Sequence, residues 1–336
     1  MVSKLLTFLN RDVSGMNQAA LLLGLFSFIS QLFGLLRDHL LASLVGPSAS
    51  LDVYYAAFRV PDFIYNSVAV LFSVTVIIPF ITQYLQEKKG GDDTTTGLQK
   101  FSNSVFSLYC AGMVLVCAVA ALLMPWLTHL TAPGFSLAQR ADLILYSRIM
   151  LLSPFLMGLS SLLSSFAQAQ KKFFSFAIAP VFYNFGILVG ILLLLPQIGI
   201  LGVVVGVVIG AILYLGIQLP TLASLHKLPA LTKSIDWKLM KKVVTLSIPR
   251  TLASSLSNIT FIVIGAIASL LVAGSISVFQ FSYNIQTTPL MIIGISYAVA
   301  AFPTLARLYA TQEHKAFVDM IHRATRNIFF LSIPAA

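Results

Sequence analysis

Two adjacent ionisable residues, Arg37 and Asp38, lie inside an apolar run that is long enough to form a membrane-spanning helix. An ionised side chain in hydrocarbon costs about 3 kcal/mol or more, so such residues usually face a partner or a cavity. Arginine stays protonated and binds carboxylates and phosphates through paired hydrogen bonds. Because adjacent residues point to different faces of a helix, we expect Arg37 to find its anion elsewhere, either at Asp52 or in a ligand phosphate.

The next apolar run carries Asp52, Arg59 and Asp62, so the first two predicted spans hold two cations and three anions. Two interpretations remain open at this point. These residues pair with one another and brace the helix ends, an interpretation that suits Asp38 and Asp62. Alternatively, their charges line a polar site inside the membrane, an interpretation that suits Arg37 because it cannot become neutral.

A weak internal repeat relates residues 41–63 to residues 267–291, and it aligns Tyr55 with Tyr283 and Pro61 with Pro289. Matching helices that are interrupted by proline in two halves of a transporter point to a site between the halves. Chance similarity between helices rich in leucine and serine is the rival explanation. Asn284 precedes the second proline and is a candidate hydrogen-bonding group there.

The sequence holds no motif of a hydrolase, a zinc protease or a nucleotide-driven pump. Cys110 and Cys117 are seven residues apart, which on a helix is about 10 Å and too far for a disulfide. We therefore expect no enzyme, no catalytic residue and no bound metal, and we interpret both cysteines as packing residues.

Composition indicates a polytopic membrane protein, because 58% of the 336 residues are hydrophobic and only 10% are charged. Soluble domains carry about 25% charged residues. Most of the 21 lysines and arginines fall in alternate loops, so the net charge reflects the positive-inside rule and not nucleic-acid binding. This bias predicts a cytoplasmic N-terminus. The first apolar run has no small-residue cleavage site after it, which predicts a retained first helix.

We predict an all-α transmembrane bundle with eight complete helices. A ninth apolar run begins near residue 327 and stops at Ala336, which suggests a C-terminally truncated chain. The eight runs lie at about 16–36, 52–84, 103–127, 145–168, 174–195, 199–221, 248–272 and 276–304.

Several stretches carry a family resemblance. PWLTHLTAPGF at 125–135 is the most specific, and the others are GLLRDHLLASLVG, LDVYYAAFRVPDF, FAIAPVFYN, IQLPTL, LVAGSIS and AFPTLAR. With these stretches the chain resembles the MurJ (MviN) lipid II flippase family of the MATE-like multidrug/oligosaccharidyl-lipid/polysaccharide exporter superfamily. The likeness runs across the whole sequence.

The resemblance implies a two-lobe flippase fold of fourteen helices around a V-shaped cavity that alternates its access. Residues 1–224 would form the first six-helix lobe, 225–247 a basic cytoplasmic linker, and 248–336 the start of the second lobe, with helices seven, eight and part of nine. The protein would be a monomer in the bacterial cytoplasmic membrane. It would carry undecaprenyl-pyrophosphate-linked disaccharide-pentapeptide, driven by membrane potential or by an ion, Na⁺ or H⁺. It would need no cofactor, and peptidoglycan-synthesis proteins would be its partners.

By the same resemblance, the cavity is cationic and binds the pyrophosphate. Arg37, Asp38, Asp52 and Arg59 match the family pattern, but Gln31 stands where the family has arginine, Tyr65 and Asn66 stand at an arginine pair, Val70 stands at a glutamate, and Tyr283 and Asn284 stand at an Asp-Arg pair. We expect Arg37, Asp52, Arg59, Gln31, Asn284 and Asn66 to bind substrate. We expect Asp38, Pro61 and Pro289 to have structural or coupling roles.

The lost cations leave three hypotheses for function, because a pyrophosphate in a low-dielectric cavity favours several positive charges. The first is a lipid II flippase that uses neutral donors as well as arginine. The second is a flippase for another polyprenyl-linked polysaccharide or a MATE-like exporter. The third is a scaffold that does not transport and binds other envelope-synthesis proteins.

Overall fold

The computed structural model describes residues 16–68, 93–169, 172–223, 229–289, 305, 308 and 312–333. Within these ranges every regular element is a helix, which confirms the predicted all-α fold. Five helical segments of the described chain are long and apolar enough to cross a membrane, which confirms a multi-pass membrane protein. They are Gly97–Thr131, Leu137–Gln168, Phe174–Ile198, Ile200–Thr221 and Thr251–Ala268.

The helices form two groups that follow one another along the chain. The first group comprises α1 (Met16–Leu44), α2 (Ala49–Ala57), α3 (Arg59–Ser67), α4 (Asp93–Thr131), α5 (Leu137–Met150), α6 (Leu152–Ala169), α7 (Phe174–Val189), α8 (Leu195–Ile198), α9 (Ile200–Gly216) and α10 (Leu219–Ala223). The second group comprises α11 (Trp237–Ala268), α12 (Ser275–Pro289) and α13 (His314–Ser332). Between the groups, α11 packs on α3 and α4, and α12 packs on α1 and α2.

Two helices begin earlier than hydrophobicity alone predicted. The run expected at 248–272 is the inner part of α11, which starts at Trp237 because the Asp236 side chain caps it by accepting a hydrogen bond from the Leu239 N–H at 3.0 Å. Helix α13 starts at His314 and not near residue 327. Its first turns mix charged residues with short apolar stretches, as in an amphipathic helix, a pattern that a search for continuous apolar runs does not detect.

Glycines allow α7 and α9 to pack with their backbones in contact. Gly190, in the π-helical turn after α7, faces Gly206 of α9, and a Cβ atom built on Gly206 would lie 2.7 Å from the Gly190 Cα. Small residues at such positions let membrane helices approach closely. This contact makes α7 and α9 the centre of the first helix group.

The loops at one end of the bundle bring the two groups together. This end, which we call the uncharged end, consists of residues 45–48, 132–136 and 269–274. The Gly134 N–H donates to Ser269 Oγ at 3.1 Å, and Gly274, at φ +95°, packs against Pro47 so closely that a Cβ atom would lie 3.1 Å from it. Side chains larger than hydrogen would hold the groups apart here.

At the other end, residues 229–236 form a strap that joins the groups. Three backbone N–H groups of the strap donate to side chains on α4: Ala230 to Asn103 at 2.9 Å, Thr232 to Ser107 at 2.7 Å, and Asp236 to Ser104 at 3.3 Å. The strap therefore fixes the start of α11 against the first group.

We predict that Gly206→Ala destabilises the protein by about 1–3 kcal/mol, because the added methyl group overpacks the α7–α9 contact. Thermal unfolding in detergent measures the change. Gly112→Ala on α4 is the matched control, since its Cβ would meet no atom within 4 Å. Equal unfolding temperatures for the two variants would contradict the close packing.

Candidate functional site

A polar cavity of about 350 Å³ lies between the two helix groups. Its walls come from α1, α2, α3 and α7 on one side and from α11 and α12 on the other. The lining residues are Arg37, Tyr54, Tyr55, Phe58, Arg59, Asp62, Tyr183, Asn258, Phe261, Gln280, Tyr283 and Asn284. It is therefore a site that exists only where the two groups meet.

Arg37 pairs with its neighbour Asp38, which contradicts our prediction of a more distant anion. Arg37 Nε donates to Asp38 Oδ1 at 2.9 Å, and a terminal guanidinium nitrogen lies 2.9 Å from the same oxygen. The prediction was wrong because it considered the directions of the Cα–Cβ bonds alone, whereas the long arginine side chain folds back to reach the carboxylate. Its other terminal nitrogen donates to Asn184 Oδ1 of α7 at 3.5 Å.

The Arg37–Asp38 pair continues into the second helix group through two amides. Asn284 Nδ2 donates to Asp38 Oδ2 at 2.8 Å, Gln280 Nε2 donates to Asn284 Oδ1 at 2.9 Å, and Arg59 donates to Gln280 Oε1 at 3.3 Å. We call this series, from Arg37 to Arg59, the polar chain. It joins α1 and α3 of the first group to α12 of the second.

Arg59 has an unsatisfied hydrogen-bond donor beside the cavity. The residue is buried, its guanidinium carbon lies 5.7 Å from the ring centroid of Phe261, and its Nε has no hydrogen-bond partner within the described chain. A cation over an aromatic face is stabilised by the ring quadrupole. The Nε atom itself is buried, and a Cβ atom built on Gly265 of α11 would lie 3.4 Å from it.

The formal charges around the cavity cancel. Arg37 and Arg59 contribute two positive charges, and Asp38 and Asp62 contribute two negative charges; Asp62 is exposed to the cavity. The cationic cavity that the family resemblance implied is thus balanced by carboxylates in the described structure. Net neutrality reduces the long-range attraction for a multivalent anion.

Asp52 lies outside the cavity and joins the helix groups instead. It is buried, and its carboxylate accepts from the Gly274 N–H at 2.6 Å, from the Ser277 N–H at 2.8 Å and from Ser277 Oγ at 2.6 Å. A carboxylate at a helix N-terminus satisfies free N–H groups and interacts favourably with the helix dipole. Asp52 therefore holds the start of α12 at the uncharged end.

The remaining candidates lie around the cavity. Gln31 is half-buried on α1 and does not line it. Asn66 also lies outside the lining and donates to Asn258 Oδ1 at 3.3 Å. Pro61 lies in the first turn of α3, whereas Pro289 ends the described part of α12. Substrate binding by any of these residues stays a prediction.

Aromatic residues are the part of the lining that sequence reasoning missed. Six rings contribute to the walls, and Tyr283 packs edge-on against Phe261 with ring centroids 4.9 Å apart. The internal repeat was the available signal, since the structure places its matched pair, Tyr55 and Tyr283, in the same cavity. Rings, amides and balanced charges together suit a polar headgroup that makes many hydrogen bonds.

The lining of the cavity offers hydrogen-bonding side chains and aromatic rings. Among the described residues no group of three His, Cys, Asp or Glu side chains could hold a metal ion.

Comparisons with known proteins agree with this geometry. The family model described as "Lipid II flippase MurJ" matches residues 41–336. The chain is 27% identical over 322 residues to the probable lipid II flippase MurJ of Rhizobium tropici, covering 91% of this chain and 58% of that protein. It is 28% identical over 331 residues to the probable lipid II flippase MurJ of Haemophilus influenzae, covering 92% and 63%.

Solved structures share the fold. A structure described as lipid II flippase MurJ in the inward closed conformation gives a TM-score of 0.76 at 21% identity, covering 94% of this chain and 64% of that one. An inward-facing MATE family multidrug resistance transporter gives 0.69 at 14% identity, covering 91% and 68%. The chain spans about three fifths of the length of the curated relatives it matches.

We predict that the Asp38–Asn284 hydrogen bond couples the two helix groups. A double-mutant cycle of Asp38→Asn and Asn284→Ala should give a coupling energy between about 0.6 and 1.7 kcal/mol, the range for polar contacts between membrane helices. Unfolding in mixed detergent measures it. A second cycle pairs Asp38→Asn with Gln286→Ala, an exposed position on the same helix as Asn284. This cycle should give no coupling energy. Equal coupling energies in the two cycles would contradict the prediction that the polar chain connects the helix groups.

Proposed function

Because this chain belongs to the lipid II flippase MurJ family, we propose that the protein moves a lipid-linked peptidoglycan precursor across the bacterial cytoplasmic membrane by alternating access. One observation supports this most directly. A cavity with two arginines lies in the contact between the two helix groups, and Tyr183, Asn258 and Phe261 of its lining belong to segments that are long and apolar enough to cross a membrane. Rocking of the groups would expose that cavity to one side of the membrane and then to the other.

The polar chain supplies a means by which substrate would loosen the contact. Arg37 donates a hydrogen bond to Asp38, and Arg59 donates one to Gln280. A pyrophosphate offers stronger, charge-assisted hydrogen bonds and would draw both guanidinium groups away from these partners. Gln280 and Asn284 would then lose their links to the first group, and α12 would be free to move. A ligand shifts such an equilibrium by its difference in affinity for the two states.

Asp52 would act as a seal in the same cycle. Its three hydrogen bonds to Gly274 and Ser277 hold the uncharged end closed. The basic loops indicate that this end faces away from the cytoplasm, with the N-terminus inside. The described state would therefore be closed to the outside, and export would require α12 to leave Asp52.

The remaining assignments follow from the same proposal. We propose that residues 1–224 belong to the first lobe, 225–247 to a linker whose last residues, from Trp237, are the first turns of α11, and 248–336 to the second lobe. The strap on α4 holds the linker against the first lobe. We expect a monomer that works with peptidoglycan-synthesis proteins and is driven by membrane potential, Na⁺ or H⁺.

The balanced charges of the cavity favour a second candidate, a flippase for another polyprenyl-linked glycan. Asp38 and Asp62 cancel Arg37 and Arg59, so hydrogen bonds to sugar would contribute a larger share of the binding energy than attraction to phosphate. Competition in proteoliposomes between lipid II and polyprenyl-linked glycans of other composition separates the two candidates.

We predict that Arg37→Ala abolishes rescue of cells depleted of their lipid II flippase, whereas the protein still inserts in the membrane. The reason is that Arg37 would supply a bidentate contact to phosphate. Arg148→Ala is the matched control, because Arg148 is exposed on α5 and bonds the Ala121 carbonyl away from the cavity. Growth of the Arg37→Ala cells at the wild-type rate would rule out the assigned role.

We also predict that Asp52→Asn shifts the protein towards a state open at the uncharged end. The amide keeps the size of the side chain, but it loses the charge that interacts with the N-terminus of α12. Spin labels at Leu137 and Val272, both highly exposed and one in each group, should report a longer distance by pulsed electron resonance. Asp142→Asn, on the exposed side of α5, serves as the control, and an unchanged distance in Asp52→Asn would contradict the seal.

A further inference from the structure

The Arg59 side chain of the first helix group lies in a notch of the second group, formed by Phe261 and Gly265 of α11 and Gln280 of α12. We call this place the notch. The guanidinium carbon lies 5.7 Å from the Phe261 ring centroid, and a terminal nitrogen donates to Gln280 Oε1 at 3.3 Å. Arg59 is only 8% exposed in this position. One side chain of the first group is thus enclosed by three residues of the second.

Gly265 gives the guanidinium group its room. Phe261 and Gly265 are four residues apart on α11, so they lie on the same face of the helix, one turn apart. A Cβ atom built on Gly265 would lie 3.4 Å from Arg59 Nε, whereas the glycines between α7 and α9 face backbone atoms. A larger side chain at position 265 would therefore occupy the space in which the arginine lies.

The docked arginine keeps one donor unsatisfied. Its Nε is buried and has no hydrogen-bond partner within the described chain. None of the carboxylates in the described ranges lies within ion-pair distance of its guanidinium group. An unpaired buried donor costs free energy, and each one in a folded protein needs an explanation. Because the atom is buried, it gains a partner only when the arginine leaves the notch.

Arg37 shows a different arrangement in the same cavity. It bonds to the Asp38 carboxylate and to Asn184, and both partners belong to its own helix group. Arg59 has no carboxylate partner, and its contacts with Phe261 and Gln280 both cross to the other group. Movement of the groups would leave the contacts of Arg37 in place and break those of Arg59.

We propose that Gly265 is a positioning residue that admits Arg59 to the notch, and that the unpaired Nε keeps the docked state weak enough for the helix groups to separate. This inference rests on the proposed function, since it describes a contact that breaks in the same alternating-access cycle. A cation–π contact and a bond to a neutral amide are each of modest strength. Outside the notch every N–H of the guanidinium group can bond to water or to an anionic ligand, which lowers the cost of release.

A serine at position 265 tests the free donor, because its hydroxyl oxygen would lie within reach of Nε and would accept from it. We expect the full-length Gly265→Ser protein to unfold in detergent about 2 °C or more above Gly265→Ala, although alanine is the better helix former. Gly112→Ser and Gly112→Ala are the matched controls, since a Cβ there meets no atom within 4 Å. Alanine should be the more stable of that pair. The same order at both positions would overturn the proposal.

The serine variant should also slow transport. In proteoliposomes we expect Gly265→Ser to lower the rate of lipid II transport about fivefold, the factor by which one ordinary hydrogen bond changes an equilibrium. A packing defect would lower stability and rate together, whereas a more strongly held docked state raises one and lowers the other. In an Arg59→Lys background, serine should bring no gain in unfolding temperature over alanine, because lysine has no N–H at that place in its side chain. A gain that persists there would contradict the bond to Nε.

Filling the notch should act in the opposite direction. Gly265→Leu places a side chain where the guanidinium group lies, so Arg59 cannot dock. We expect a longer distance between spin labels at Leu137 and Val272 by pulsed electron resonance, and Gly112→Leu is the control. An unchanged distance in Gly265→Leu would overturn the notch as a contact that holds the groups together.

The outcomes separate this inference from the function on which it rests. Wild-type protein that does not move lipid II, with the expected order of unfolding temperatures and the expected distances, would contradict the flippase and support the notch. Transport by the wild-type protein, with Gly265→Ser and Gly265→Ala alike in stability and rate, would support the flippase and overturn the notch.

Discussion

Arginine keeps its charge inside a membrane and therefore needs an anion close by. Asp38 supplies that anion for Arg37 within one turn of α1. The pair leaves one carboxylate oxygen and one guanidinium nitrogen for other helices. Asn284 and Asn184 occupy them, so the need to neutralise one charge also fixes α12 and α7 around α1. The polar cavity exists because these helices meet there.

At the uncharged end, too, a buried charged group of one helix group is satisfied by hydrogen bonds from the other. Asp52 is buried and accepts hydrogen bonds from Gly274, which precedes α12, and from Ser277 in its first turn. Removing one partner of such a buried group leaves a costly unpaired charge. Glycines at 134 and 274 let the loops approach closely enough for this contact. A contact that depends on backbone proximity and one carboxylate forms or breaks as a unit, which suits a boundary between two conformations.

Charge balance distinguishes this cavity from a simple anion site. Two carboxylates offset two guanidinium groups, and six aromatic rings and three amides complete the walls. Binding there would depend on exchanging internal hydrogen bonds for bonds to the ligand. Affinity and loosening of the helix groups would then arise from the same event, because the partners that the ligand displaces, Gln280 and Asn284, belong to the second group.

Sequence alone determined the properties that depend on local composition. Continuous apolar runs specified membrane helices, and charged residues within them marked Arg37, Arg59 and Asp38 as parts of a polar region. Only the tertiary structure decided which groups meet, because Asp52 and Ser277 belong to helices far apart in sequence and no spacing relates them. It also placed Asp52 outside the cavity, brought the aromatic rings into it, and enclosed Arg59 between α11 and α12. The physical reason is that the free-energy cost of burying a side chain depends on its residue type, which the sequence gives. The group that offsets this cost by a hydrogen bond or an ion pair depends on how the helices pack.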